Sequence, residues 1–154
     1  MSRKLTAFLA AGTALLIAGG NAVALAGNAS AKPKCSYALL NMPGSGAKGT
    51  ESGTVTCPAP AGKGMATTSY TQTPHDDVTF REKGTFKDKF KHGTISGSYK
   101  IKSTDNGTHY SGHFQITGAT GMLSGAHGSG TQKCSTPDAG VHYDCTTVLT
   151  RGQL

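Results

Sequence analysis

The sequence predicts an all-β protein, an antiparallel barrel of about eight strands, and three observations carry that expectation. The chain holds 22 glycines and no tryptophan. Its apolar residues recur at every second position with no sustained helical period, and turn signals such as Asp105-Asn106-Gly107-Thr108 separate the alternating runs. With no helix to cover a sheet and one apolar face per strand, a barrel or a sandwich remains. Glycines opposite large residues, Gly97 and Gly112 in particular, suit a tightly coiled closed sheet and favour the barrel.

The first residues do not belong to that barrel. Arg3 and Lys4 precede an apolar run from Leu5 to Ala18, and small residues then end in Ala24-Leu25-Ala26. This is the pattern of a secretory leader over residues 1–26, with an alternative cleavage after Ala31. The run is shorter than the roughly 20 residues of a membrane helix, so no membrane span is expected. Residues 27–154 then form one domain in an exported protein, secreted or periplasmic. Two of the fifteen Lys and Arg leave with the leader, and thirteen remain against eight Asp and Glu, a net charge of +5. That balance attracts anionic polymers without naming one.

Cys35, Cys57, Cys134 and Cys145 all lie in the exported part, and an even number in an oxidising compartment implies two disulfides. Cys35–Cys57 with Cys134–Cys145 is favoured because each pair brackets a hairpin-sized stretch. The rival pairing joins first and last strands of a closed sheet, Cys35 with Cys145.

Strand candidates follow in order: Cys35 to Leu39, Thr54 to Cys57, Met65 to Thr71 and Asp77 to Arg81. Between the first two, Met42 to Thr50 is only superficially a phosphate loop, since Gly49 follows Lys48 where Ser or Thr is required. It reads as a flexible loop. Further on, Asn106-Gly107 as a two-residue hairpin loop sets a register: Lys102 faces Ser111, Ile101 faces Gly112, Lys100 faces His113 and Tyr99 faces Phe114. One face then carries Tyr99, Ile101, Phe114 and Ile116, and a one-residue slip would scramble it. Treating Lys91-His92-Gly93-Thr94 likewise sets Lys91 opposite Thr94, Phe90 opposite Ile95, Asp88 opposite Gly97 and Phe86 opposite Tyr99. Gly128 to Cys134 and Val141 to Leu149 complete the set, with Val141, Tyr143, Cys145 and Leu149 on one face.

The run GTFKDKFKHGTISGSYKIKSTDNGTHYSGHFQITGATGMLSGAHGSGT, residues 84–131, resembles the second half of small secreted barrels of the allene oxide cyclase and dirigent superfamily. There a strand enters a Gly-Gly-Thr-Gly-like turn, followed by an apolar residue and a Gly-Ala or Arg-Ala-x-Gly continuation. Here the turn is Gly118-Ala119-Thr120-Gly121, the apolar residue is Leu123, and Gly125-Ala126-His127-Gly128 continues it. The second turn position departs from glycine. The resemblance implies an eight-stranded, calycin-like barrel of the exported bacterial type. It transfers no catalytic residue, because the matching positions are structural. Members include cyclases of fatty-acid epoxides and proteins that steer radical coupling of phenols. Related barrels often form dimers or trimers, so a homo-oligomer stays open, although no self-complementary surface is legible.

Three functional readings stand at this point. The leading one is a barrel without catalysis that binds a small apolar ligand among Phe86, Phe90, Ile95, Tyr99, Ile101, Phe114 and Ile116, or that meets a partner at its surface. The second is a cyclase or isomerase-like enzyme using Asp88 and Tyr99. In the register above Asp88 faces inward, where desolvation makes it a candidate acid or base. A bulge would instead turn it out among Lys87, Lys89 and Lys91. The third is a polyanion-binding surface built from Lys83, Lys87, Lys89, Lys91, Lys100 and Lys102. No aromatics are interleaved on that face for stacking bases, which argues against specific nucleic-acid recognition. No cofactor or metal is expected: His109 and His113 sit about 13 Å apart along a strand. His75-Asp76-Asp77 reads as a turn.

Overall fold

The computed structural model describes residues 31–44, 47–76, 79–138 and 140–154. The leader expected at residues 1–26 lies outside them, as does Asp77. Eight strands follow one another: β1 Lys34–Pro43, β2 Lys48–Thr56, β3 Lys63–Pro74, β4 Phe80–Phe90, β5 Gly93–Thr104, β6 His109–Ala119, β7 His127–Ser135 and β8 His142–Gln153. Each pairs antiparallel with the next, and β8 returns to β1, closing the barrel in chain order. Closure leaves no unpaired sheet edge. The loop expected over Met42 to Thr50 is shorter than predicted, because β1 and β2 extend into it and pair Met42 with Thr50.

Alternation decides which side chains enter the lumen. On β5, Ile95, Gly97, Tyr99, Ile101 and Ser103 are buried while the residues between them face outward. The β5–β6 register agrees with expectation at Lys102–Ser111, Ile101–Gly112, Lys100–His113 and Tyr99–Phe114. Its loop is wider than two residues. The ladder ends at Thr104–His109, and Asp105, Asn106 and Gly107 all take left-handed backbone. Thr108 N–H donates to the Asp105 carbonyl at 3.1 Å.

The β4–β5 hairpin differs by two residues. Phe90 pairs with Gly93, Asp88 with Ile95, Phe86 with Gly97, and Gly84 with Tyr99. The expected pairing set Phe86 directly against Tyr99, two rings competing for one space. In the structure each ring lies over a glycine. A Cβ on Gly97 would stand 2.5 Å from the Phe86 ring, and one on Gly84 2.7 Å from the Tyr99 ring. Phe86 and Phe114 meet edge to face across Gly97, centroids 6.4 Å apart. Alternating large and small residues fills most of a narrow lumen.

The stretch after β6 is a barrel corner. Met122 N–H donates to the His92 carbonyl at 2.8 Å, and Leu123, 2 % exposed, covers that end of the core. Disulfides join Cys35 to Cys57 and Cys134 to Cys145. On β8, Tyr143, Cys145 and Leu149 are buried as expected, whereas Val141 is exposed. Val141 lies in the turn before the strand, where its carbonyl accepts from Asn41 N–H at 2.8 Å. Residues 32–154 form one compact unit.

Candidate functional site

The lumen is lined by the residues that alternation points inward, and it is largely filled. Phe90, Ile95, Tyr99, Ile101, Phe114 and Ile116 are buried and Phe86 is half-buried against them. Two internal cavities of about 20 Å³ lie among these side chains. Each has room for about one water molecule.

Asp88 points into the barrel with 2 % exposure, and no bulge turns it toward Lys87, Lys89 and Lys91. Its Oδ2 accepts from the Tyr37 hydroxyl at 2.9 Å, and Tyr37 is in turn bonded by Thr147. Burial pushes the Asp88 carboxyl up to about 7, against the Tyr37 hydrogen bond. Tyr99, the other candidate for chemistry, bonds elsewhere: its hydroxyl donates to Glu82 Oε1 at 2.9 Å. Asp88 and Tyr99 thus belong to separate hydrogen-bonded groups within one lumen.

Two further acids share that lumen and were missed at the sequence level. Glu51 and Glu82 are 6 % and 4 % exposed. Glu51 accepts from the Thr68 hydroxyl at 2.9 Å, and burial raises its carboxyl. Burial and then the Glu51 charge push Glu82 up to about 7. Counting back from Val55 in steps of two reaches Gly53 and Glu51, and from Phe90 the same step reaches Asp88, Phe86, Gly84 and Glu82. The signal was there once each strand was carried to its full length. The tyrosines complete the lining: Tyr70 donates to Asn41 Oδ1 at 2.9 Å, and Tyr110 meets Tyr143 edge to face.

The exterior has the opposite character. Every Lys and Arg beyond residue 31, thirteen in all, is exposed. Lys83, Lys87, Lys89 and Lys91 run along β4 and its turn, while Lys100 and Lys102 lie on β5. Register brings only some of them together. Lys83 stands directly opposite Lys100, and Arg81 opposite Lys102, so four cations form a two-by-two block. Lys87 and Lys89 face Ser96 and Thr94 instead. The row of Lys83 continues to Thr71 and Lys48 on one side and to His113 on the other. Beside it runs a row of short polar residues, Ser69, Thr85, Ser98, Gln115 and Ser129.

Two open depressions follow these rows. One, of about 570 Å³, has Lys48, Lys83 and Lys100 around Ser69, Thr85 and Ser98; another, of about 480 Å³, has Lys100, His113 and Arg151 around Ser98, Gln115 and Ser129. Arg81, Lys48 and Arg151 were not foreseen, because their proximity to the patch depends on register across several strands. Among the described residues no Phe or Tyr side chain is exposed.

No cluster of three or more His, Cys, Asp or Glu among the described residues is arranged to hold a metal. All six histidines are exposed. His109 approaches Asp105 at 3.3 Å, His142 bonds Asp138, and His75 faces the Arg81 guanidinium at 3.3 Å. No described helix is long and apolar enough to cross a membrane. No protein-family model matches the chain, and no curated protein matches it.

Proposed function

We propose that this chain is an exported, non-catalytic barrel that binds an anionic polymer through its outer face. The observation that carries this reading is the block of Arg81, Lys83, Lys100 and Lys102. Like charges directly opposite on paired strands destabilise a sheet by a few tenths to about 1 kcal/mol, and the outward positions of β4, β5 and β6 offer no carboxylate to offset them. An anion laid across the block removes that repulsion. Hydroxyls beside the lysines suit sulfate or phosphate groups, which take neutral donors as well as cations. The absence of exposed Phe and Tyr among the described residues favours a polymer read by charge over one read by stacking.

The leader pattern and the two disulfides support an oxidising, extracellular setting. Binding of an apolar ligand in the lumen, or turnover by Asp88 and Tyr99, is the weaker reading because cavities of about 20 Å³ admit no such molecule without repacking. The closed eight-strand fold is compatible with the allene oxide cyclase and dirigent superfamily, but a barrel alone does not select it.

The test is retention on an immobilised sulfated polysaccharide in a salt gradient. The wild-type protein should be held and elute with salt, and Lys83→Glu with Lys100→Glu should elute at clearly lower salt. The same charge reversal at Lys34 and Lys63 serves as control and should shift elution less. Retention that ignores salt, or equal shifts from both pairs, would count against a localised site.

A further inference from the structure

We infer that the lumen is a proton-binding site, in which Glu51, Glu82 and Asp88 are held as neutral acids by the folded barrel and weaken it when they lose their protons. The inference rests on the inside of the barrel and is independent of what binds outside.

Three carboxyls are enclosed, and each has one identified hydroxyl donor: Thr68 for Glu51, Tyr99 for Glu82 and Tyr37 for Asp88. Among the described residues Asp88 Oδ1 is buried without a hydrogen-bond partner. An ionised carboxylate presents about four acceptor sites and no donor, so one hydroxyl leaves most of its charge unsolvated. A neutral acid needs far less, and its own O–H can donate.

The elements packed around these groups supply no cation. Tyr37 comes from β1, Thr68, Tyr70 and Gln72 from β3, and Tyr99 from β5. Tyr110 from β6, Gln132 from β7, and Tyr143 and Thr147 from β8 complete the lining. The titratable groups facing the acids are therefore the acids themselves and tyrosines, which become negative when they ionise. Lys48 on β2, Lys63 on β3, Arg81, Lys83, Lys87 and Lys89 on β4, and Lys100 and Lys102 on β5 point into solvent on the other side of the sheet. Lys34 on β1, Lys133 on β7 and Arg151 on β8 are exposed too, as are Asp144 on β8 and the histidines.

The direction of the effect follows from linkage. Glu82 and Asp88 rise to about 7 from ordinary values of 4.5 and 3.8. Folding then raises proton affinity, so their stabilising contribution is complete below the unfolded values and lost as pH rises through the folded ones.

The experiment is urea unfolding of the disulfide-bonded protein at about pH 5 and about pH 8. The wild-type midpoint should fall at the higher pH. Glu82→Gln and Asp88→Asn, which keep the shape without the charge, should each show a smaller fall and exceed the wild type at the higher pH. The surface pairs His109–Asp105 and His142–Asp138 lie outside the barrel and remain intact in both variants. A wild-type midpoint that is level or higher at the alkaline point overturns the proposal, as does a full fall retained in both variants. Should a variant fail to fold, carboxyl carbon NMR of the wild type decides: resonances of Glu82 and Asp88 titrating near 7 support it, and all carboxyls titrating near 4 refute it.

Discussion

Tyr99 shows how much one side chain can hold. Its ring lies over Gly84 while its hydroxyl crosses to Glu82, so one residue fills volume and satisfies a buried acid together. Burial and the neighbouring acids raise its own pKa, and it stays a neutral donor. Tyr99→Phe keeps the ring and removes the donor. Equilibrium unfolding at mildly acidic pH should then show a loss of roughly 1–3 kcal/mol, the cost of an unsatisfied buried polar group; stability equal to the wild type would mean that the bond contributes nothing. The inward direction of Asp88 was legible from alternation around Phe86 and Phe90. Its partner Tyr37 was not, because they lie 51 residues apart and meet across the lumen.

At the level of strands, the Asn106-Gly107 hairpin was predicted in its correct register, while the β4–β5 hairpin was not. Both readings placed the same residues inward, and they differed in which ring met which glycine. Gly97 is the residue on which that choice turns. Gly97→Ala adds a methyl group against the Phe86 ring at 2.5 Å and the Gln115 carbonyl at 2.0 Å. Overpacking of this kind costs about 1–3 kcal/mol, which a denaturation midpoint reads directly. An unchanged midpoint would show that the lumen takes up the added methyl group without cost. The outer face obeys the same logic: Lys83 meets Lys100 only in the observed pairing, whereas the expected one set Lys83 opposite Lys102.

The whole molecule separates charge by side of the sheet. Among the described residues three acids lie inside, thirteen Lys and Arg lie outside, and a closed wall of backbone hydrogen bonds stands between them. An interior that contains acids contributes less stability than an apolar one, and the disulfides offset part of that. Sequence separations of 22 and 11 give about 3 kcal/mol for each bridge by the loop-entropy account. Domain stabilities run roughly 5–15 kcal/mol. Reduction should therefore bring the barrel to the edge of unfolding, visible as a large drop in urea midpoint with dithiothreitol present. A reduced protein as stable as the oxidised one would remove the bridges from the account.

Composition, alternation and cysteine spacing by themselves determined the class, the faces of the strands and the favoured disulfide pairing, because each depends on local period or short separation. Tertiary structure alone decided the β4–β5 pairing, the gathering of Glu51 and Glu82 beside Tyr99, and the block that joins Arg81 to Lys102. A strand's side chains repeat every two residues, so any even shift leaves each face unchanged. Only the closed lumen, where every ring must find a glycine and every acid a hydroxyl, distinguishes one even register from the next.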